Sequence, residues 1–183
     1  MHVKPVWDQL YEVAASQDGY FTTAQAAACG YSPQLLVHYV RTGKVTRPQR
    51  GIYRLVHFPA GEHEELTLAW LWSERQGVIS HQTALSVLEL SDVMPPKVHL
   101  TVPLSWATRR LRVPKSIELH HGDVPKQDRA WFGAVPITKA RRSLVDSARD
   151  GLSPEFVQQA TEQAVRRGLV TRHELRGLQR VSA

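Results

Sequence analysis

The sequence predicts an α+β protein: a winged helix-turn-helix over residues 1–58, then a second α+β domain over residues 62–183 with a small antiparallel sheet and C-terminal helices. Three observations carry this prediction. Between Tyr20 and Phe58, two short helices with clear start and stop signals lead into a hairpin-forming segment, the order helix, turn, helix, wing. The same stretch is free of acids: none occurs between Asp18 and Glu62, whereas Arg41, Lys44, Arg47, Arg50 and Arg54 all do. After Pro59-Ala60-Gly61 the pattern changes to strands interleaved with helices.

A chain of 183 residues forms one or two domains and buries a real core. Its 42% hydrophobic and 22% charged residues are ordinary for a globular protein. The formal charge of +6 and the pI near 9.8 favour a polyanionic partner. The single cysteine, Cys29, excludes an internal disulfide framework and a Cys-based zinc site. The N-terminus lacks a basic-then-apolar signal, and no apolar run approaches the roughly 18 residues of a membrane span. The expected location is the cytoplasm.

Pro5 to Ser16 reads as the first helix, with Pro5 in its first turn and Val6, Leu10, Val13 and Ala14 on one face. Trp7 and Tyr11 flank that face and are expected in the core. Asp18-Gly19 stops the helix. Thr22 followed by Gln25 fits a capping box and opens a short, alanine-rich helix; Cys29 at its end is expected to be a buried filler. Gly30 supplies the left-handed turn. Ser32 as N-cap and Pro33 at the first helical position start a second helix that ends at Thr42-Gly43. Leu36 and Val40 face its apolar side, flanked by Val37 and Tyr39. Gln34, His38, Arg41 and Thr42 recur at i, i+4, i+7 and i+8 on the other. Val45 to Leu55 then folds back around Arg47-Pro48-Gln49-Arg50-Gly51.

In the second half, Glu62 to Arg75 is a helix apolar nearly all round, expected to be buried. Val78 to Ser80, Lys97 to Val102, Ser116 to His121 and Trp131 to Ile137 read as strands. His81 to Leu88 is a helix, Thr138 caps another, and Ser153-Pro154 starts one that ends at Gly168. A Thr171–Glu174 capping box opens the last.

The residue types on the second helix of the pair are those that touch base edges and phosphates in a major groove. The expected DNA contacts are therefore Gln34 and His38 near bases and Arg41, Lys44, Arg47, Arg50 and Arg54 on phosphates. Thr23 and Ser32 at the two helix starts and Gln49 in the wing complete this set. Arg109, Arg110 and Arg112, in a segment without acids between Asp92 and Glu118, offer a second cationic surface.

Catalytic signatures are sparse. There is no phosphate-cradling glycine loop, no serine elbow and no HExxH, since His63-Glu64 lacks a histidine four residues on from His63. His120 and His121, adjacent on a strand, point to opposite faces and cannot share an ion, so no metal site is expected. Asp146 with Arg142 four residues before it reads as a surface ion pair. The expectation is a protein that is not an enzyme and has no cofactor. The alternatives are a metal-dependent nuclease or phosphotransfer domain using Glu118, Asp123 and Lys126, and a module that holds a protein partner.

The segment GKVTRPQRGIYRL, with the helix pair before it, resembles the AbiEi family. SHQTALSVLEL, VHLTVP and the helix-rich stretch from ITKARRSLVD to VTRHEL extend the likeness more loosely. Members are antitoxins and transcriptional regulators of type IV toxin–antitoxin and phage-defence operons. The resemblance implies an autorepressor that binds promoter DNA and whose operon partner is a nucleotidyltransferase-like toxin.

Overall fold

The computed structural model describes residues 5–175. The chain divides into two units, residues 1–75 and 76–183.

In the first unit, α1 (Trp7–Ala15), β1 (Tyr20–Thr22), α2 (Thr23–Ala28) and α3 (Pro33–Arg41) precede the hairpin β2 (Val45–Gln49) and β3 (Ile52–Leu55), and α4 (Glu64–Trp72) follows. The capping box is present: Thr22 Oγ1 accepts from the Gln25 amide, and the Gln25 side chain accepts from the Thr22 amide. Ser32 caps α3 by accepting from the Leu35 amide at 3.2 Å. Gly30 takes a φ of 86°, which lets the chain turn between α2 and α3 at no Cβ cost. The core comprises Leu10, Ala14, Phe21, Ala26, Leu36, Val45, Tyr53 and Leu55, with Cys29 buried among them as expected.

β1 is not foreseen from the sequence, because its three residues give too short an alternation to read. It pairs antiparallel with β3, Phe21 opposite Tyr53, and the sheet order is β1-β3-β2. The two rings stack at 5.7 Å. Trp7 and Tyr11, expected in the core, are 40% and 48% exposed. They lie over the core edge, Trp7 against Tyr39 and Tyr11 against Phe58.

α4 is buried along Leu66, Thr67, Ala69, Trp70 and Leu71, as its composition predicts. It belongs to the first unit, so the division falls after Arg75 and not at Pro59–Gly61. The reason is polar: Glu64 is held by Tyr20 and Arg54, and Thr67 donates to Asp18.

The second unit runs β4 (Val78–Ile79), α5 (His81–Val87), β5 (Val98–Val102), β6 (Ile117–His121), β7 (Arg129–Phe132), β8 (Val135–Thr138), α6 (Ala140–Arg149) and α7 (Pro154–Arg166). The sheet is mixed, not antiparallel: in the order β6-β5-β4-β8-β7, the pairs β5–β6 and β4–β8 run parallel. The crossover at residues 103–116 returns the chain to the same end before β6, which a hairpin could not do. The single strand expected over Trp131–Ile137 is a hairpin, broken where Gly133 adopts a φ of 53°. Lys139, not Thr138, precedes α6; Thr138 lies in β8 and its hydroxyl meets Ser143 Oγ at 2.7 Å. α5, α6 and α7 share a core of Leu85, Leu90, Leu144, Leu152, Val157 and Ala160. Thr171 and Glu174 make the reciprocal bonds of a capping box. The helix expected beyond them lies outside the described residues.

Candidate nucleic-acid interface

α3 is anchored by one fully buried residue, Leu36, with Leu35 and Tyr39 half-buried beside it. Everything else on it looks outward. Gln34, Val37, His38 and Arg41 are exposed, and their spacing of 3, 4 and 7 places them on one stripe. Val37, at 47% exposure, departs from its expected core position, as does Val40 at 37%. The single anchor explains this, because α3 rests on the core through a narrow strip. Thr42, expected on the polar side, spends its hydroxyl on the His38 carbonyl at 3.0 Å and closes the helix.

The hairpin continues from the end of α3. The Lys44 amide donates to the Tyr39 carbonyl at 2.9 Å, which fixes β2 directly after the helix. Lys44 Nζ lies 4.8 Å from the centre of the Tyr39 ring. The β2–β3 register shifts between Thr46 and Gln49, and Pro48 falls within that irregularity, where no ladder donor is needed. Arg47 leans toward the Tyr53 ring at 5.7 Å, and Arg50 stands exposed at the turn beside Gly51, whose φ is 80°. Gln49 is half-buried opposite Ile52. Thr23 supports the same turn: its amide and hydroxyl both donate to the Gly51 carbonyl, at 2.9 and 3.3 Å. Ser32 is exposed at the start of α3. The structure therefore brings Ser32, Gln34, His38, Arg41, Lys44, Arg47 and Arg50 onto one helix and the hairpin joined to it. No described acid pairs with Arg41, Lys44, Arg47 or Arg50.

Arg54 is the exception. Its guanidinium bonds to Glu64 at 2.5 Å and to the carbonyls of Phe58 and Pro59 at 3.1 Å, beneath the Tyr20 ring. Its side chain is 15% exposed. This arginine is a strut of the unit and is not available to a phosphate. The acid that captures it lies ten residues on, just beyond the acid-free stretch. Burial alone would push the Glu64 carboxyl up. Bonds from the Gly61 amide, the Tyr20 hydroxyl and Arg54 outweigh it and hold the group below the usual carboxylate range.

Arg109, Arg110 and Arg112 are exposed in the second unit, on the crossover between β5 and β6, with Arg109 stacked 3.8 Å over Trp106. Glu118 and Asp123 do not converge: Glu118 pairs with Lys97 at 2.7 Å, and Asp123 accepts from the Leu104 amide. Arg142 and Asp146 pair at 2.6 Å as expected, but Asp146 is buried, so this is no surface bridge. His121 and His120 do point apart, His121 exposed and His120 half-buried. Sequence reasoning misses that His120 meets His81 and His99. These three stand on different elements: the β5–β6 register sets His99 and His120 on one face, and α5 brings His81 to them.

A mixed α+β chain whose first unit carries a basic, acid-free helix and hairpin is of the kind found among transcriptional regulators. Comparison with known proteins agrees. Residues 8–56 match the family described as "Transcriptional regulator, AbiEi antitoxin". The crystal structure of RV2827C protein from Mycobacterium tuberculosis is similar in fold, with a TM-score of 0.57 and 15% identity, over 98% of this chain and 73% of that one. A comparison with curated proteins finds no match. Among the described residues, no helix is long and apolar enough to cross a membrane.

Proposed function

We propose that the first unit is a winged helix-turn-helix that binds double-stranded DNA, and that the protein is the autorepressing antitoxin of a type IV toxin–antitoxin operon. The observation that carries this reading is the continuous cationic surface of α3 and the β2–β3 hairpin, with Arg41, Lys44, Arg47 and Arg50 unmatched by any described acid. In this reading α3 lies in the major groove with Gln34 and His38 at base edges, and Val37 offers methyl groups to a thymine methyl. Arg41, Lys44, Arg47 and Arg50 neutralise phosphates, and Ser32 adds a helix-start contact. Thr23 and Gln49 hold the wing in shape. Arg109, Arg110 and Arg112 form a further phosphate-contacting surface on the second unit. The operon partner is a nucleotidyltransferase-like toxin, and the protein acts in the cytoplasm without enzymatic activity of its own.

A mobility-shift titration with DNA from upstream of the protein's own gene tests this reading against DNA of the same length and scrambled sequence. The expected result is a shift of the upstream fragment that survives excess scrambled competitor. Equal competition by both would leave a non-specific polyanion binder and remove the repressor.

A further inference from the structure

The second unit holds a cluster that the DNA reading does not use. His81 opens α5, His99 lies on β5 and His120 on β6. In the parallel β5–β6 pair, Thr101 stands opposite His120 and His99 opposite Glu118, so both histidines rise from the same face of the sheet. α5 is clamped over that face by Thr83, whose hydroxyl accepts from the His99 amide at 2.9 Å. One ring nitrogen from each of the three histidines lies within 4.8 Å of the other two. His99 Nδ1 and His120 Nε2 are 2.9 Å apart, and the His81 and His120 rings stack at 3.7 Å.

We propose that His81, His99 and His120 form a binding site for a first-row transition-metal dication, with three imidazole ligands and a fourth position for water. Three nitrogen donors without a carboxylate among them suit Zn²⁺, Co²⁺, Ni²⁺ or Cu²⁺ and not Mg²⁺ or Ca²⁺. Bonds of about 2.0 Å place three such nitrogens roughly 3.3 Å apart, so the stacked His81 and His120 rings, 14° from parallel, tilt out of their stack to point their lone pairs at one ion.

Two features of the surroundings fit a ligand role. His81 Nδ1 meets Ser80 Oγ at 2.9 Å, and Ser80 Oγ meets Thr101 Oγ1 at 2.7 Å. This chain fixes the ring and leaves its Nε2 for an ion, as partners one layer out do in metal sites. His81 also adopts a φ of 51°, a left-handed backbone state that non-glycine residues rarely hold and that clusters at ligand sites. The nitrogens of His99 and His120 share one proton. An ion taking that place needs both as acceptors, and the donor ring shifts its proton to its other nitrogen.

The test uses the full chain without an added histidine tag, stripped with a chelator, reloaded with Zn²⁺ and desalted. The proposal expects one retained equivalent of zinc by elemental analysis and a higher melting temperature than the stripped protein. His81→Gln and His120→Gln should lose retention, and Ser80→Ala should weaken binding by roughly ten- to a hundredfold. His121→Gln, one residue away and facing outward, should bind as the wild type does. Should the glutamine variants fail to fold, the visible spectrum of the Co²⁺-loaded wild type decides: strong bands of a four-coordinate ion support the site, and the weak spectrum of hydrated Co²⁺ overturns it. Zinc retained in full by a folded His120→Gln protein, or none retained by the wild type, also overturns it. This inference is independent of DNA binding.

Discussion

Arg54 donates to Glu64 at 2.5 Å and so ties β3, the central strand of the first sheet, to α4. Tyr20 on β1 donates to the other oxygen of the same carboxylate at 2.9 Å. One acid thus joins two strands and a helix, and it removes from the cationic surface one of the five basic residues that the sequence places there.

Arg54→Ala should therefore act on stability and not on DNA affinity. Loss of charge-assisted bonds in a mostly buried setting costs about 1–3 kcal/mol. Urea unfolding should show this loss, while the affinity of the folded protein for DNA and its salt dependence stay as in the wild type.

Glu64 makes a pH prediction. Its folded pKa lies below the ordinary carboxylate value of 4.5. A depressed carboxylate contributes stability in full above its unfolded pKa and loses it as the pH falls through the folded one. The melting temperature of the wild type should thus fall more steeply than that of Glu64→Gln as the pH drops below about 4.5, and the two curves should run parallel near neutrality.

Gly19→Ala probes the entry to the first sheet. Gly19 has a φ of 83°, and a Cβ there would meet Phe58 at 2.7 Å. Backbone strain and the clash together should cost about 1–3 kcal/mol or more, read as a lower melting temperature with no change in fold.

The N-terminal fold is largely legible in the sequence because its signals are local. A threonine three residues before a glutamine, Ser32-Pro33, Gly30 and Gly51 each fix a cap or a turn within a few bonds. What is not legible depends on distant pairing. β1 exists because Phe21 finds Tyr53, and the mixed sheet because the crossover before Ile117 returns the strand parallel to Val98–Val102. Val37 is misread because periodicity shows which residues are apolar, not how narrow the anchoring strip is. Arg54 is misassigned because its partner lies past the acid-free run, and the histidine trio escapes because its members share no motif.

Residues on the exposed stripe of α3 should decide which site is bound. Gln34→Ala, His38→Ala and Val37→Ala should each reduce discrimination between operator and mismatched DNA by about 1–3 kcal/mol, with little effect on non-specific binding. Competition titrations with single-base variants of the bound fragment would measure this.

The most direct measurement is the slope of log affinity against log salt concentration for DNA binding, wild type against Arg47→Ala/Arg50→Ala. Each phosphate neutralised adds about 0.9 to that slope, so the double variant should bind all DNA more weakly with a slope shallower by about two. An unchanged affinity and an unchanged slope would contradict a hairpin that lies along the DNA backbone.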